Sequence, residues 1–135
     1  MPIYLTKCLK LRGTDYREVS RRARRIYKEI ASTSRRKPYI RSAYFKNEKV
    51  FLDYFWQHLQ QKNWQDRFRR LKYYPCALEV IRYSNNAPII TRNPNNASEI
   101  FYRFIALTAS KEQFCVQIKE ETNNGQKHFI SVFPQ

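Results

Sequence analysis

Apolar side chains recur at steps of three and four between positions 14 and 34, and this spacing predicts a helix. Asp15 and Glu18 open it in the spacing of a capping box, in which two side chains satisfy free backbone amides. We therefore expect an amphipathic first helix. Its apolar stripe consists of Tyr16, Val19, Ala23, Ile26 and Ile30.

The middle of the chain predicts three more helices. Residues 47–62 form an amphipathic run that Asn47 can cap, Asn63 opens a second run, NWQDRFRRLKYY, and Pro75 suits the first turn of a third, PCALEVIRYS. Residues 39–45, YIRSAYF, favour a short strand or an extended arm. Residues 85–96 carry two prolines and five asparagines, which is typical of a loop.

The last third of the chain changes its period. The runs EIFYRFIALT, QFCVQIKE and HFISVF are rich in β-branched and aromatic residues, and the Asn-Gly between the last two favours a hairpin. We expect an α+β fold, with N-terminal helices packed on a C-terminal antiparallel β-meander of three to four strands. One face of the sheet packs on the helices and the other is left for a ligand. Residues 1–38 are expected to form a basic helical arm and residues 39–135 an α+β domain, together one compact unit.

Two features favour a cytoplasmic protein without a membrane partner. No run approaches the roughly 18 apolar residues that cross a bilayer, and MPIYLTKCLKLRG lacks the apolar segment and cleavage site of a signal peptide. The three cysteines, Cys8, Cys76 and Cys115, are odd in number and widely separated, so we expect buried reduced thiols and neither a disulfide framework nor a zinc site.

Positive charge is the strongest compositional signal. Lys and Arg number 26 against 11 Asp and Glu, a net charge of +15, and residues 1–46 hold 14 of these cations with only 3 acidic residues. Such an excess favours a polyanion, most often a nucleic acid, although an anionic membrane surface or an acidic protein also fits. The predicted nucleic-acid contacts are Arg17, Arg21, Arg24, Arg25, Lys28, Arg35, Arg36, Lys37, Arg41, Lys46, Arg67 and Arg70.

An aromatic and basic interleaving follows the first helix. Arg41 and Lys46 lie beside Tyr39 and Tyr44, a pattern suited to stacking bases and holding phosphates. Tyrosines are also common at the edge of a core, so this pattern has a structural explanation as well.

The inventory of reactive side chains is narrow. Only two glycines are present, so neither a P-loop nor a dinucleotide fingerprint is possible, and two distant histidines without CxxC spacing disfavour a metal site. RNA cleavage by attack of the 2′-hydroxyl on the adjacent phosphate suits what remains, since it needs a base, an acid and cations but no cofactor.

Four polar residues interrupt the apolar alternation of the meander: Arg103, Lys119, His128 and Ser131. They are the predicted catalytic residues, and they converge if neighbouring strands pair without a large slip. His128 and Ser131 are three positions apart, so they share a sheet face only if a bulge lies between them. His58, on the apolar side of its helix, is expected to be a core histidine.

The meander EIFYRFIALTASKEQFCVQIKEETNNGQKHFISVFP resembles the BECR superfamily, the barnase, EndoU, colicin and RelE-like ribonucleases, and especially its phage-type members. That group typically ends in f-x-v-x-i, a polar hairpin and f-x-s/t-x-x-p. The matching residues here are Phe114, Val116, Ile118, Phe129, Ser131 and Pro134.

The resemblance covers roughly residues 39–134 and implies a BECR-like domain there, with a metal-independent ribonuclease site on the sheet. Ser131 matches the last-strand hydroxyl, and His128, Lys119 and Arg103 occupy neighbouring polar strand positions. The RH-type motif near the domain start is reduced to the YIRS of residues 39–42, without a histidine.

Three functions remain open on the sequence. The first is a metal-independent endoribonuclease of toxin type, acting on RNA and neutralised by an acidic antitoxin or inhibitor protein. The second is a non-catalytic protein that binds RNA or DNA, with Arg67, Arg69, Arg70 and Lys72 as additional phosphate contacts. The third is a small interaction protein whose positive face meets an acidic partner.

Overall fold

A seven-stranded mixed sheet organises the computed structural model, which describes residues 3–135. The strands lie in the order β1-β5-β6-β7-β3-β2, and β4 pairs with the same edge of β5 as β1. The elements along the chain are β1 Tyr4–Leu5, α1 Tyr16–Ala31, β2 Tyr39–Ser42, β3 Glu48–Phe51, α2 Asp53–Leu59, α3 Trp64–Lys72, α4 Tyr74–Tyr83, β4 Ile89–Arg92, β5 Glu99–Leu107, β6 Gln113–Glu121 and β7 Gln126–Pro134.

The predicted fold class, N-terminal helices on an antiparallel meander of three to four strands, is wrong. Strands from both ends of the chain build the sheet, and two of its pairings are parallel: β1 with β5, and β3 with β7. The strands that the prediction missed are only two to four residues long. Such short segments carry too little alternation to be recognised, and pairing with the long C-terminal strands is what makes them strands.

Two local predictions fail for related reasons. Residues 47–62 are not one helix, because Asn47 adopts a positive φ of 65° in the turn between β2 and β3, and α2 begins only at Asp53. Asparagine tolerates this left-handed conformation well, so it forms a turn here instead of a helix cap. Residues 85–96 are not all loop, since Ile89–Arg92 pairs with β5 as an exposed edge strand.

Helix α1 forms where the sequence predicts it and joins the main core. Asp15 accepts a hydrogen bond of 3.0 Å from the backbone N–H of Arg17 and caps the helix. Val19 and Ala23 are fully buried. The Tyr27 hydroxyl donates to Asp53 at the start of α2, at 2.5 Å. The basic segment and the rest of the chain therefore share one hydrophobic core.

A β-bulge in β7 decides which side chains share a face of the sheet. Gln117 of β6 pairs with Ser131, but the next residue, Ile118, pairs with Phe129, so Ile130 is the extra residue. The bulge shifts the alternation of β7 by one position. His128 and Ser131 therefore project from the same face, which is the condition that a shared site requires.

The helices cover the face of the sheet opposite to His128 and Ser131, and the aromatic residues of the core lie there. Phe129 is fully buried, and its ring stacks on Phe55 of α2 with centroids 4.8 Å apart. The ring of Tyr74 in α4 also packs near Phe129, with ring centroids 6.2 Å apart. This packing fixes α2 and α4 against the meander.

The three cysteines are free thiols, with Cys76 and Cys115 buried and Cys8 half-buried. Among residues 3–135, no helix is long and apolar enough to cross a membrane.

Replacing Phe129 by alanine should lower the free energy of unfolding by about 3–5 kcal/mol, because it leaves a cavity between α2, α4 and β7. Urea unfolding followed by circular dichroism measures this loss. Phe101→Ala is the matched control, since Phe101 is only half-buried on the other face; an equal loss in both variants would contradict the assignment of the core face.

Candidate functional site

The sheet face opposite the core, here called the open face, brings together the four predicted catalytic residues. Arg103 pairs with Gln117, which in turn pairs with Ser131. Two residues farther along β6, Lys119 pairs with His128. Paired residues project from the same face of a sheet. Arg103, Lys119, His128 and Ser131 therefore lie on two adjacent rows of the open face.

Ser131 contacts one arginine, Arg70, and shares its row of the sheet with a second, Arg103. Arg70 of α3 donates a hydrogen bond of 2.7 Å from Nη1 to Ser131 Oγ. The guanidinium groups of Arg70 and Arg103 approach the Phe133 ring, at 5.5 and 5.4 Å from its centroid. Arg103 is exposed and Arg70 is half-buried. Arg70 binds the hydroxyl directly, and Arg103 lies near Arg70 through the Phe133 ring that both approach.

Lys119 is held in a fixed position. Its Nζ lies 3.2 Å from a carboxylate oxygen of Glu99 on the neighbouring strand and 5.0 Å from the centroid of the Tyr54 ring. Its side chain is 17% exposed. The ion pair forms across the β5–β6 pairing, because Glu99 lies diagonally opposite Lys119 on the same face of the sheet.

His128 is buried and cannot contact a ligand directly in this structure. The residue is 1% exposed, and the Tyr54 ring stacks on the imidazole with centroids 4.0 Å apart. A Glu121 carboxylate oxygen lies 2.7 Å from Nε2, at ion-pair distance but without the alignment of a hydrogen bond. Burial lowers the pKa of His128 even though Glu121 opposes the shift. The buried imidazole therefore packs against the Tyr54 ring and the Glu121 carboxylate.

His58 is the functional candidate that sequence reasoning missed. It is half-buried one helical turn after Tyr54. It lines a pocket of about 10 Å³, room for at most one water molecule, together with Lys62, Arg70, Ser131 and the apolar Phe55, Leu59 and Ile130. Burial, together with the positive charges of Lys119 and Lys62, lowers the pKa of His58. The four-residue spacing of Tyr54 and His58, which places both on one side of a helix, was the only available signal.

The cations of α1 form a second feature, here called the basic groove. Arg17, Arg21, Arg24, Arg25 and Lys28 are exposed and line a groove of about 650 Å³. The Arg24 guanidinium lies 4.5 Å from the Trp56 ring centroid. Within residues 3–135, none of these five cations makes an ion pair. Their mutual repulsion makes the basic groove a favourable site for an anion.

The other predicted nucleic-acid contacts are spread more widely. Arg35, Arg36 and Lys37 are exposed just beyond α1, and Arg67 is half-buried on α3. Lys46 is exposed in the turn before β3.

The predicted interleaving of cations and tyrosines forms only around Tyr39. Arg41 is exposed, donates a hydrogen bond of 2.9 Å to the carbonyl of Asn47, and lies 5.6 Å from the Tyr39 ring. Tyr44 packs on Phe104, with ring centroids 5.4 Å apart. Tyr44 is therefore part of the core and not of a base-stacking surface.

Comparison of the chain with protein-family models, curated sequences and solved structures finds no match. In the described part of the chain, no three His, Cys, Asp or Glu side chains group as ligands for a metal ion. The functional assignment therefore depends on the chemistry of the open face and the basic groove.

Lowering the pH from 7.5 to 5.5 should destabilise the protein, because burial lowers the pKa of His128 in the folded state, so that the unfolded chain, with an ordinary histidine pKa of about 6.5, takes up the proton more readily. The loss is at most about 1.4 kcal/mol per pH unit below the unfolded pKa. Urea unfolding of wild type and His128→Gln across this range measures it. The variant should show a shallower slope with pH, whatever its absolute stability, and parallel slopes would contradict the buried neutral imidazole.

Proposed function

We propose that the protein is a metal-independent endoribonuclease of toxin type that acts in the cytoplasm. It cleaves RNA by attack of a 2′-hydroxyl on the adjacent phosphate, leaving a 2′,3′-cyclic phosphate and a 5′-hydroxyl. The observation that carries the proposal is the placement of His58, with a lowered pKa, beside Lys62, Arg70 and Ser131 at the edge of a cationic sheet face.

His58 is the general base. Its lowered pKa keeps the imidazole neutral at pH 7, the form that accepts a proton. The 2′-oxygen loses its proton to His58 as it bonds to phosphorus, and the RNA supplies its own nucleophile.

Arg70 and Arg103 stabilise the negative charge that develops on the phosphorane oxygens. Guanidinium groups suit this role because they are always charged and bind phosphate through two parallel hydrogen bonds. Ser131 acts through Arg70, since its hydroxyl oxygen accepts the 2.7 Å hydrogen bond that fixes the guanidinium. It is a positioning residue.

Lys119 supplies the proton to the departing 5′-oxygen as the phosphorus–oxygen bond breaks. Glu99 and the Tyr54 ring hold its ammonium group in place. Its charge also contributes to the lowered pKa of His58, so the two groups act near each other. His128 does not touch the substrate in this scheme and keeps Tyr54 in position.

The net charge of +15 and the unpaired cations of the basic groove support RNA as the substrate, and they equally suit an acidic antitoxin that covers the protein before it acts. The resemblance of the meander to the BECR ribonucleases supports the same assignment. Members of that superfamily also place a mixture of His, Lys, Arg, Tyr and Ser or Thr on the sheet.

Purified protein should cleave labelled RNA in the presence of EDTA, and His58→Ala should slow cleavage by about 10²- to 10⁴-fold, the usual contribution of a general base. Arg103→Ala and Lys119→Ala should each cost about 10²-fold or more, because each removes a charge that stabilises the transition state. Ser131→Ala should reduce the cleavage rate less than these changes do, since the Arg70 guanidinium remains.

The matched control is Gln57→Ala, an exposed position next to His58 on α2 that should keep full activity. RNA carrying 2′-deoxynucleotides should resist cleavage, and the rate should fall at acidic pH as His58 becomes protonated. Binding of RNA without cleavage would overturn the proposal and support the alternative, a non-catalytic nucleic-acid-binding protein.

The double variant Arg21→Gln and Arg25→Gln should reduce the dependence of RNA affinity on salt, by about 0.7 in the log–log slope for each lost phosphate contact to a single strand. Fluorescence anisotropy at several salt concentrations measures the slope. Arg12→Gln is the control, because Arg12 is exposed outside the basic groove. An unchanged slope in the double variant would show that RNA does not occupy the basic groove.

A further inference from the structure

A second groove begins where α1 ends and runs beside β2, β3 and the start of β7. It has a volume of about 680 Å³, and among residues 3–135 no acidic side chain lines it. Its lining includes four cations and two aromatic rings: Arg35, Arg36, Lys37, Lys49, Tyr39 and Phe51. This set of six residues is here called the aromatic shelf.

The two rings of the aromatic shelf are held by the β2–β3 pairing. Tyr39 lies directly opposite Phe51, with ring centroids 6.2 Å apart in an edge-to-face arrangement. Both side chains are only half-buried. Lys49 Nζ lies 4.6 Å from the Tyr39 centroid, so a positive charge accompanies the ring. Rings and cations at this spacing offer stacking to bases and ion pairs to phosphates.

The aromatic shelf and Lys119 lie on one row of paired strand residues, and the Tyr54 ring covers the middle of that row at His128. Phe51 pairs with His128, and His128 pairs with Lys119, so a single row of the open face joins Tyr39 to Lys119. Three strand spacings of about 4.8 Å separate the ends of this row by about 14 Å. That distance corresponds to a few nucleotides of one strand.

We propose that the aromatic shelf binds the unpaired bases of single-stranded RNA beside the cleaved phosphate, and that it makes the protein select single strands over duplex. The proposal rests on the proposed function for RNA as the ligand. Stacking on Tyr39 and Phe51 requires bases with a free face, which a duplex does not offer. The four cations neutralise the phosphates that flank the stacked bases.

The test is the affinity for a short labelled single-stranded RNA with 2′-O-methyl groups, which lacks the nucleophile and so reports binding without cleavage. Tyr39→Leu keeps apolar volume but removes the ring, and should weaken binding about 5- to 100-fold in anisotropy titrations. Tyr39→Phe keeps the ring and should bind within about twofold of wild type. Trp64→Leu is the matched control, because Trp64 is an exposed aromatic residue of α3 outside the aromatic shelf.

A second arm uses the same RNA annealed to its complement. Wild type should prefer the single strand, and Tyr39→Leu should lose most of that preference, whereas a change shared with Trp64→Leu would overturn the proposal. Equal affinity of wild type for single strand and duplex would overturn it too.

The two proposals fail separately. Suppose that wild type cleaves RNA but Tyr39→Leu binds RNA and prefers single strands as wild type does. The proposed role of the aromatic shelf is then wrong, and the proposed ribonuclease activity stands. If the aromatic shelf binds as expected but no RNA is cleaved in EDTA, the catalytic assignment fails and the shelf stands.

Discussion

The extra residue Ile130 in β7 is the constraint on which the site depends. It lets Phe129 and Val132 both face the core while His128 and Ser131 both face the other side of the sheet. A regular strand would place one member of each pair on the wrong face, because side chains alternate. The bulge therefore reconciles the packing of the core with the assembly of a polar site.

Electrostatics on the open face follow from this arrangement. Lys119 forms an ion pair with Glu99, and Arg70 forms one with Asp66 at 3.2 Å. These ion pairs hold the two half-buried cations in fixed positions. Arg103 adds a further exposed charge. Burial, together with the charges of Lys119 and Lys62, lowers the pKa of His58, and a neutral imidazole is the form that can accept a proton.

The position of α1 connects the basic groove with the sheet. Its buried stripe packs into the same core as the meander, so its cations are fixed relative to the open face. The basic groove runs along this helix, and the aromatic shelf begins where the helix ends. Cationic side chains thus continue from α1 into the groove beside β2 and β3.

The sequence alone determined what depends on local periodicity: the capped helix α1, the strands β5 to β7 with their hairpin, and the concentration of positive charge near the N-terminus. It placed Arg103, Lys119 and Ser131 in strands. The tertiary structure decided the rest. β1, β3 and β4 exist because longer strands pair with them. Exposure of a side chain depends on what covers it, so Tyr54 buries the histidine that followed the hairpin. His58, expected in the core, is only half-buried and lines a small pocket with Ser131.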